Sequence, residues 1–381
     1  MFALIIVPAV VIYGFGNYYL GRRALTVLRI AIPSLGGAWF WAAYITLAST
    51  FILPNLLPAN AFTAYIRHVG DFWLGIFFYS FLMLLSVDVV RLAVSFVSKV
   101  LSREVAYGPA FQLALGAVVA LSTLSLTAYG TVHAKRIKVH QYDVRIGKEA
   151  AGLTELRVAL ISDLHLGTQY GHDEVRKIRL LLDEAEPDIL IMAGDIFDGN
   201  LNAVPHINKV MDEFLAMDYR YGIYAVLGNH DAGRTVGGIV GFLADAGVTL
   251  LQNEARVIDG AFVLAGMNDR SPIGGQGVGR TDIGRVLEGA DRSMPILMID
   301  HQPTKFAESS AAGVDLLLCG HTHKGQIFPI SLITGAMYPS DYGYYASDGL
   351  QVVISSGIGT WGPPMRIGSD SEIAIIDVRF G

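Results

Sequence analysis

Residues 156–165, LRVALISDLH, contain the pattern that decides the fold of this chain: a short apolar run followed at once by carboxylate and imidazole side chains. The pattern returns four more times. Runs of this length and composition are typical of buried β-strands. The five runs and the residues that follow them are LRVALIS (156–162) before Asp163, DILIMAG (188–194) before Asp195, GIYAVLG (222–228) before Asn229, PILMID (295–300) before His301 and DLLLCG (315–320) before His321.

Helical patterns lie between these predicted strands. Residues 173–188, 204–217 and 236–246 have apolar side chains at helical spacing. Strands that alternate with helices predict a layered α/β domain. Because open α/β sheets bind ligands at the carboxyl ends of their strands, we expect the five polar strand ends to meet at one site.

The polar strand ends contain the residue types that bind divalent metals. Imidazole and carboxylate ligands suit Zn, Mn or Fe, and one carboxylate can bridge two ions. Two ions ~3.5–4 Å apart can activate a water and stabilise both the attacking and the leaving oxygen of a phosphoryl transfer. Each motif alone is a weak signal, but their joint occurrence predicts a dinuclear site. The motifs are Asp163-x-His165, Gly194-Asp195-x-x-Asp198, Gly228-Asn229-His230-Asp231, His301 and Gly320-His321-x-His323.

The first third of the chain has a different composition. Residues 1–132 contain seven Lys/Arg and three Asp/Glu, whereas the remaining residues carry a net charge of −10. Because ~20 apolar residues cross the hydrocarbon core of a bilayer, apolar segments at 2–20, 30–54, 72–92 and 107–130 predict four transmembrane helices. We therefore expect an all-α four-helix transmembrane region over 1–132, a linker over 133–152 and an α/β domain over 153–381.

The loop charges predict an orientation. The first and third predicted loops each contain three Lys/Arg, whereas the second contains only Arg67. Cytoplasmic loops are enriched in these residues, so the pattern favours a multi-pass integral membrane protein with its α/β domain outside the cytoplasm. Lys135, Arg136 and Lys138 follow the fourth predicted helix and favour the opposite face, which leaves a cytoplasmic domain as the alternative.

Composition also excludes some classes of partner and chemistry. A net charge of −10 with no run of Lys or Arg excludes nucleic acid as an expected partner of the α/β domain. The single cysteine, Cys319, excludes an intrachain disulfide and a CxxC site.

With all five motifs present, residues 153–380 resemble the calcineurin-like metallophosphoesterases. GQIFP at 325–329 and SSGIGTWGPPMRIG at 355–368 are similar to the bacterial membrane-associated phosphodiesterase branch of that family. The resemblance implies a two-sheet sandwich flanked by helices. It also implies a hydrolase in which a hydroxide that bridges two metal ions attacks phosphorus.

The resemblance further implies a role for each motif residue. His230 is the candidate general acid for the leaving oxygen, and Asp198 is the candidate partner that orients it. The metals would be two divalent ions, with Mn, Fe and Zn as the candidates. One ion would be bound by Asp163, His165 and His323, and the other by Asn229, His301 and His321, with Asp195 bridging both.

Differences from related branches of the family narrow the range of expected substrates. Protein Ser/Thr phosphatases of this superfamily have Arg and Glu where this chain has Gly199 and Asp231, which disfavours a protein substrate. Lys324 replaces a common glycine and is a candidate cation beside the substrate. Arg366 is a candidate phosphate ligand, with a structural arginine as the alternative.

The segment 332–348 is rich in tyrosine. Amphipathic aromatic side chains favour a membrane–water boundary or a lipid-facing groove. Tyr344 and Tyr345 are therefore candidate contacts to a lipid substrate. A Tyr-rich loop that packs on the sheet is the alternative.

These features predict a membrane-anchored dinuclear phosphoesterase that hydrolyses phosphodiester or pyrophosphate bonds with a metal-activated water. The expected partners are the lipid bilayer and a phosphoester substrate, with a lipid-linked or cell-envelope compound as the candidate. The resemblance includes enzymes that hydrolyse UDP-diacylglucosamine, a cytoplasmic reaction that conflicts with the favoured orientation. A phosphomonoesterase on the same metals and a non-enzymatic membrane sensor are the alternative functions.

Overall fold

The computed structural model describes residues 2–58, 60–102, 106–233, 235–271 and 279–381. The chain divides into two compact units. One consists of residues 1–131 with 362–364, and the other of residues 132–361 with 365–381.

Four α-helices form the first unit. Among the described residues, two helical segments, Phe62–Val100 and Pro109–Ala134, are long and apolar enough to cross a membrane. By length and composition these two helices are candidate membrane spans, and a region with four crossings stays a prediction. The helices are α1 (Phe2–Ala31), α2 (Gly37–Ser49), α3 (Ala61–Val100) and α4 (Pro109–Ala134).

The bounds of these helices differ from the predicted segments. α1 continues through Arg22 and Arg23 to Ala31, two residues before Pro33. The segment predicted at 30–54 does not form one helix: it contains the end of α1, the short helix Gly37–Ser49 and the start of a 3-10 helix at Leu53–Leu56. Pro33 and Pro54 border this short helix, and proline interrupts helical hydrogen bonding. A helix of 13 residues is ~20 Å long, less than the ~30 Å hydrocarbon core.

Asp88 on α3 has its ion-pair partner on a neighbouring helix. Arg23 of α1 forms an ion pair with the Asp88 carboxylate, and the Tyr19 hydroxyl donates to the same carboxylate at 2.6 Å. Arg91 instead lies with its guanidinium carbon 4.9 Å from the centre of the Tyr107 ring. The charged residues inside α3 therefore have partners that reduce the cost of their partial burial.

Two six-stranded sheets form the second unit. Each sheet is mixed, with mostly parallel pairs and one or two antiparallel ones. The first sheet, in spatial order, contains β1 (Ile137–Ile146), β12 (Ser371–Phe380), β2 (Glu155–Ile161), β3 (Ile189–Ala193), β4 (Ile223–Val226) and β5 (Val248–Leu250). The second contains β10 (Gly343–Ser347), β11 (Leu350–Ile354), β9 (Leu316–Cys319), β8 (Ile296–Ile299), β7 (Phe262–Gly266) and β6 (Glu254–Ile258).

The predicted linker at 133–152 contains a strand of the first sheet, so that assignment was wrong. β1 pairs in parallel with β12 along its whole length, from Ile137 opposite Ser371 to Ile146 opposite Phe380. Its inward-facing apolar residues are confined to the second half of the strand, where Val144 and Ile146 are buried. This short alternation explains why the segment resembles a linker in sequence.

The main core lies between the two sheets. Buried side chains from both sheets form it, including Leu160 and Ile191 of the first sheet and Leu297 and Leu318 of the second. Three helices cover the outer face of the first sheet, and two short ones pack on the second. These helices are α5 (His172–Ala185), α6 (Ile207–Leu215), α7 (Val236–Asp245), α8 (Ile283–Val286) and α9 (Phe306–Ala311).

Two mixed sheets with flanking helices match the sandwich that the family resemblance implies. Within the sheets, β2, β3 and β4 run parallel to one another, as do β8 and β9. The carboxyl ends of parallel neighbours lie at the same edge of a sheet. The loops that follow these five strands contain the predicted metal ligands.

Candidate dimetal centre

The loops that carry the candidate ligands have an unusual backbone. Asp163, His165, Asp195, His321 and His323 all have φ between 49° and 75°. Residues other than glycine rarely adopt this left-handed conformation, which costs free energy and occurs often at functional sites. The strain shows that the fold holds these five side chains in conformations that the isolated chain disfavours.

The first cluster contains Asp163, His165 and His323. Their nearest ligand atoms lie within 4.8 Å of one another. The two imidazoles face each other with their Nε2 atoms 3.2 Å apart, and His323 Nε2 is 3.3 Å from Asp163 Oδ1. Asp163 Oδ1 is buried and accepts no hydrogen bond. A cation between these atoms would compensate an oxygen that the protein itself leaves unsatisfied.

The second cluster contains Asp195, His301 and His321, with Asn229 beside them. His301 Nε2 lies 3.2 Å from each of three atoms: Asp195 Oδ2, Asn229 Oδ1 and His321 Nδ1. The other nitrogen of His301, Nδ1, lies 2.7 Å from the carbonyl oxygen of Ala193. Such a contact fixes the ring and leaves Nε2 directed at the cluster, as in metal-binding histidines.

Asp195 connects the two clusters. Its Oδ2 atom is 3.2 Å from His301 Nε2 and 3.9 Å from His165 Nε2. Its Oδ1 atom accepts a hydrogen bond from the backbone N–H of His230 at 2.8 Å. The carboxylate is therefore held between both groups of ligands, as a bridging ligand requires.

The electrostatics of the site suit cations. Burial works to raise the pKa of Asp195, but nearby His301 outweighs this effect and holds the pKa below its usual range. Burial works to lower the pKa of His301, but Asp195 outweighs it and raises the pKa. Burial lowers the pKa of His321 and of His323 to about 4. His321 and His323 are therefore neutral at pH 7, the state that metal binding needs, whereas His301 must release its proton to a metal that binds there.

Two glycines in the motifs are required by close packing against the carboxylates. A Cβ atom on Gly228 would lie 2.1 Å from Asp195 Oδ1, and one on Gly320 would lie 2.5 Å from Asp163 Oδ2. No side chain fits at such distances. The glycines that precede Asn229 and His321 therefore let the loops approach the carboxylates.

His230 lies at the edge of the clusters. Its Nδ1 atom is 3.2 Å from Asp198 Oδ1, and its ring centre is 4.9 Å from that of His165. Asp198 Oδ1 is also 3.8 Å from His165 Nδ1. The Trp361 ring lies on the other side, with its centre 5.9 Å from that of His230. The Asp198 carboxylate thus lies within hydrogen-bonding distance of His230, and the roles of the two residues stay a prediction.

Asp231 was not assigned to the site from the sequence, although it belongs to the GNHD motif. It is fully buried, and its carboxylate accepts hydrogen bonds from the backbone N–H groups of Ile196, Phe197 and Gly228. These bonds hold together the loops that present Asp195 and Asn229. Burial and the charge of Asp195 raise the pKa of Asp231 to about 7.

The candidate substrate residues have other contacts. The Lys324 ammonium lies 4.1 Å from the centre of the Tyr342 ring. The Tyr344 hydroxyl donates to Gln351 on β11, and the Tyr345 ring packs against Phe306. These contacts favour the packed Tyr-rich segment over contacts of Tyr344 and Tyr345 with a lipid.

Arg366 requires a correction. Its side chain is fully buried rather than open to a phosphate. Its Nη2 donates to the carbonyl oxygens of Ser356, Gly357 and Gly359 at 2.8, 3.0 and 2.6 Å, and lies 3.3 Å from His323 Nδ1. Arg366 therefore supports the loop behind His323, which is the structural alternative considered from the sequence.

Tyr338 is the aromatic residue of this segment that lies beside the clusters. Its ring centre is 6.2 Å from that of His321. The sequence places it in the same tyrosine-rich stretch as Tyr344 and Tyr345, but composition alone does not distinguish among them. The distinction depends on its position before β10, close to the His321 loop.

The fold and the paired ligand clusters define a class of metal-centred hydrolases, and comparisons with known proteins agree. The sequence model of the calcineurin-like phosphoesterase family matches residues 156–325. An uncharacterised metallophosphoesterase of Aquifex aeolicus is 30% identical over 259 residues, which cover 67% of this chain and 96% of that protein. The chain belongs to the calcineurin-like metallophosphoesterase family and is a metal-dependent phosphoric ester hydrolase.

Two further relatives differ in how much of each chain is matched. A transmembrane protein with a metallophosphoesterase domain from Danio rerio is 32% identical over 274 residues, covering 68% of this chain and 61% of that protein. An uncharacterised metallophosphoesterase of Campylobacter jejuni is 25% identical over 382 residues, covering 97% of this chain and 96% of that protein. The similarity to the latter thus extends through the N-terminal helices.

Proposed function

We propose that this protein is a membrane-anchored phosphodiesterase that hydrolyses phosphodiester or pyrophosphate bonds of a lipid-linked or cell-envelope substrate at a centre of two divalent ions. The observation that carries the proposal is the position of Asp195 Oδ2, within 3.2 Å of His301 Nε2 and 3.9 Å of His165 Nε2. One carboxylate oxygen between two sets of ligands fits two neighbouring ions better than a single one.

The ligands divide as the motif resemblance implies. Asp163, His165 and His323 would hold one ion, and Asn229, His301 and His321 would hold the other, with Asp195 shared. When bound, two such ions supply charge neutralisation at the phosphoryl oxygens and lower the pKa of water to produce a nucleophile. Mn, Fe and Zn all suit this set of imidazole, carboxylate and amide donors.

His230 would donate the proton to the leaving oxygen. A general acid must lie within hydrogen-bonding reach of the reacting group, at the open side of the site. The His230 side chain is partly exposed, and the 3.2 Å contact of its Nδ1 with Asp198 leaves Nε2 free to face a substrate. Asp198 would orient the ring through its contact with Nδ1.

A membrane-bound substrate is supported by the chain itself. α3 and α4 have the length and hydropathy of membrane-spanning helices. α4 ends at Ala134 and the first strand of the sheet begins at Ile137, so only residues 135 and 136 separate a membrane helix from the hydrolase fold. The name of the Danio rerio relative, a transmembrane protein with a metallophosphoesterase domain, agrees with this arrangement. We propose four crossings and an extracytoplasmic hydrolase domain.

Hydrolysis assays with metal removal and return test the catalytic part of the proposal. The detergent-purified chain is treated with chelator, supplied again with Mn²⁺, and assayed with bis-p-nitrophenyl phosphate and with p-nitrophenyl phosphate. We expect the diester to be hydrolysed only with metal, and Asp195→Asn to abolish the activity. Faster hydrolysis of the monoester would favour a phosphomonoesterase, and no metal-dependent hydrolysis of either would contradict the proposal.

The side of the membrane is tested by labelling intact cells. Asp143 on β1 has an exposed side chain, 75% accessible, whereas the natural Cys319 is buried. An Asp143→Cys variant should react with a membrane-impermeant maleimide in intact cells, while the unsubstituted chain gives the background. Reaction only after lysis would place the domain in the cytoplasm.

A further inference from the structure

One helix of the hydrolase unit has its apolar side turned outwards. α10 (Ile330–Met337) contains no buried residue. Leu332, Ile333 and Met337 are 66, 58 and 68% exposed. Helices on the surface of a soluble protein normally have the opposite arrangement, with the apolar side against the core.

The orientation of α10 is fixed by its polar residues. At 3.6 residues per turn, Leu332, Ile333, Ala336 and Met337 share one side, which we call the apolar face of α10. Ser331 and Thr334 face inwards instead. The Thr334 hydroxyl donates to Asp341 Oδ2 at 2.6 Å, and Ser331 lies against Gly325, where a Cβ atom would be 2.3 Å from the Ser331 nitrogen.

The apolar face lies next to the catalytic loop. α10 begins seven residues after His323, and Tyr338, directly after its last residue, has its ring 6.2 Å from that of His321. Two more large side chains extend the exposed apolar surface beside the site, Phe328 at 50% and Trp361 at 58%. Gln326 joins their segments, since its amide exchanges hydrogen bonds with the backbone of Trp361 at 2.8 and 3.0 Å.

We propose that the apolar face of α10, with Phe328 and Trp361, docks into the surface of a lipid bilayer and positions the candidate dimetal centre at the level of the phospholipid headgroups. Several large apolar side chains exposed in neighbouring segments mark an interaction site. The bilayer is the occupant that this chain itself indicates, because it contains membrane-length apolar helices, and α4 ends two residues before the hydrolase fold. Tyr and Trp side chains at such a boundary are typical of membrane interfaces.

This inference rests on the membrane part of the proposed function and adds a surface to it. The fold places an apolar helix directly after the GHTH loop, so a lipid phosphate reaches the site without leaving the bilayer surface. The Tyr344 and Tyr345 side chains, on a hairpin of the second sheet, are not required. Docking of α10 to the bilayer depends on the position of this helix and does not require hydrolytic activity.

Fluorescence quenching by lipids tests the docking. The full-length chain with Ile333→Cys is labelled with an environment-sensitive maleimide and placed in phosphatidylcholine nanodiscs with or without doxyl-labelled lipid. Leu180→Cys on α5, where Leu180 is 52% exposed, is the matched control. The unsubstituted chain gives the labelling background, because Cys319 is buried. Met337→Cys is the second reporter on the apolar face.

We expect doxyl lipid to quench the probe at position 333 at least about three-fold more than at position 180, since the apolar side of an interfacial helix lies ~5–10 Å into the headgroup boundary. Equal quenching at positions 333, 337 and 180 would overturn the docking surface. A blue-shifted probe at 333 without lipid quenching would also overturn it and would indicate a second copy of the chain. Strong quenching in a chain with no hydrolytic activity would refute the proposed function and leave the docking surface intact.

Discussion

Replacing Arg366 distinguishes a structural arginine from a substrate ligand. The guanidinium Nη2 donates to three buried carbonyl oxygens at 2.6 to 3.0 Å, and Nη1 lies 3.3 Å from Ser369 Oγ. Arg366→Met keeps most of the side-chain volume but removes this donor from all three carbonyls, of which, among the described residues, only that of Gly357 accepts a second hydrogen bond, from the Glu372 N–H. A buried polar group left without its partner costs ~1–3 kcal/mol, so the unsatisfied carbonyls together should cost about 3–5 kcal/mol.

The loss should be visible as a lower melting temperature. For a unit of this size, 1 kcal/mol corresponds to ~2–4 °C, so the expected decrease is roughly 10 °C. Activity should fall as well, because the Gly359 N–H, in the loop that Arg366 supports, donates to the Asp163 carbonyl at 2.8 Å. Differential scanning fluorimetry of the detergent-purified chain, followed by kcat and KM measurements, provides both readouts.

Arg157→Met is the matched control. Arg157 donates to Asp377 at 2.8 Å, but its side chain is 41% exposed. An exposed ion pair contributes ~0–1 kcal/mol, so the control should melt within about 3 °C of the unsubstituted chain. An Arg366→Met protein that melts normally and shows only a raised KM would refute the structural role and restore Arg366 as a phosphate ligand.

Three further predictions concern the site. His230→Ala should lower kcat by ~10²–10⁴-fold with an unchanged melting temperature. Asp198→Asn should lower it less, because Asp198 orients His230 and does not itself donate the proton; equal losses in steady-state assays would contradict these roles. Gly228→Ala should abolish activity, because its Cβ would lie 2.1 Å from Asp195 Oδ1, while Gly237→Ala, with open space around the added carbon, should retain it. Chelation should lower the melting temperature, and Mn²⁺ at 100 times its Kd should restore ~2.7 kcal/mol of stability. A melting temperature that does not change on chelation would argue against bound ions.

The sequence predicts the sheets well because their strands are buried. All five apolar runs, such as 188–194, form strands within two residues of the expected bounds. That Asp163, Asp195 and Asn229 lie at one edge also follows from sequence, since each follows a strand of one parallel set, β2, β3 or β4. The binding of ions by these residues stays a prediction.

Other features depend on contacts between distant residues. The strand β1 forms because Ile137–Ile146 finds a complete partner in β12 at the far end of the chain, which local alternation does not reveal. Tyr338 lies in the same segment as Tyr344 and Tyr345, and only the fold shows that Tyr338 is the one beside His321. Likewise, only the fold shows that the Arg366 side chain is buried. The apolar residues of α10 have the spacing of an ordinary amphipathic helix, whose apolar side packs on the core. Sequence alone therefore does not show that this side faces outwards.

Metal content is the most direct test of the central claim that two ions share Asp195. Inductively coupled plasma mass spectrometry of the purified full-length chain, reconstituted with Mn²⁺ and freed of excess, gives the number of ions per chain. We expect about two in the unsubstituted protein and about one in each of His323→Ala and His301→Ala, because each variant removes a ligand from a different cluster. A single ion in the unsubstituted protein, or two ions retained in both variants, would contradict the dinuclear centre.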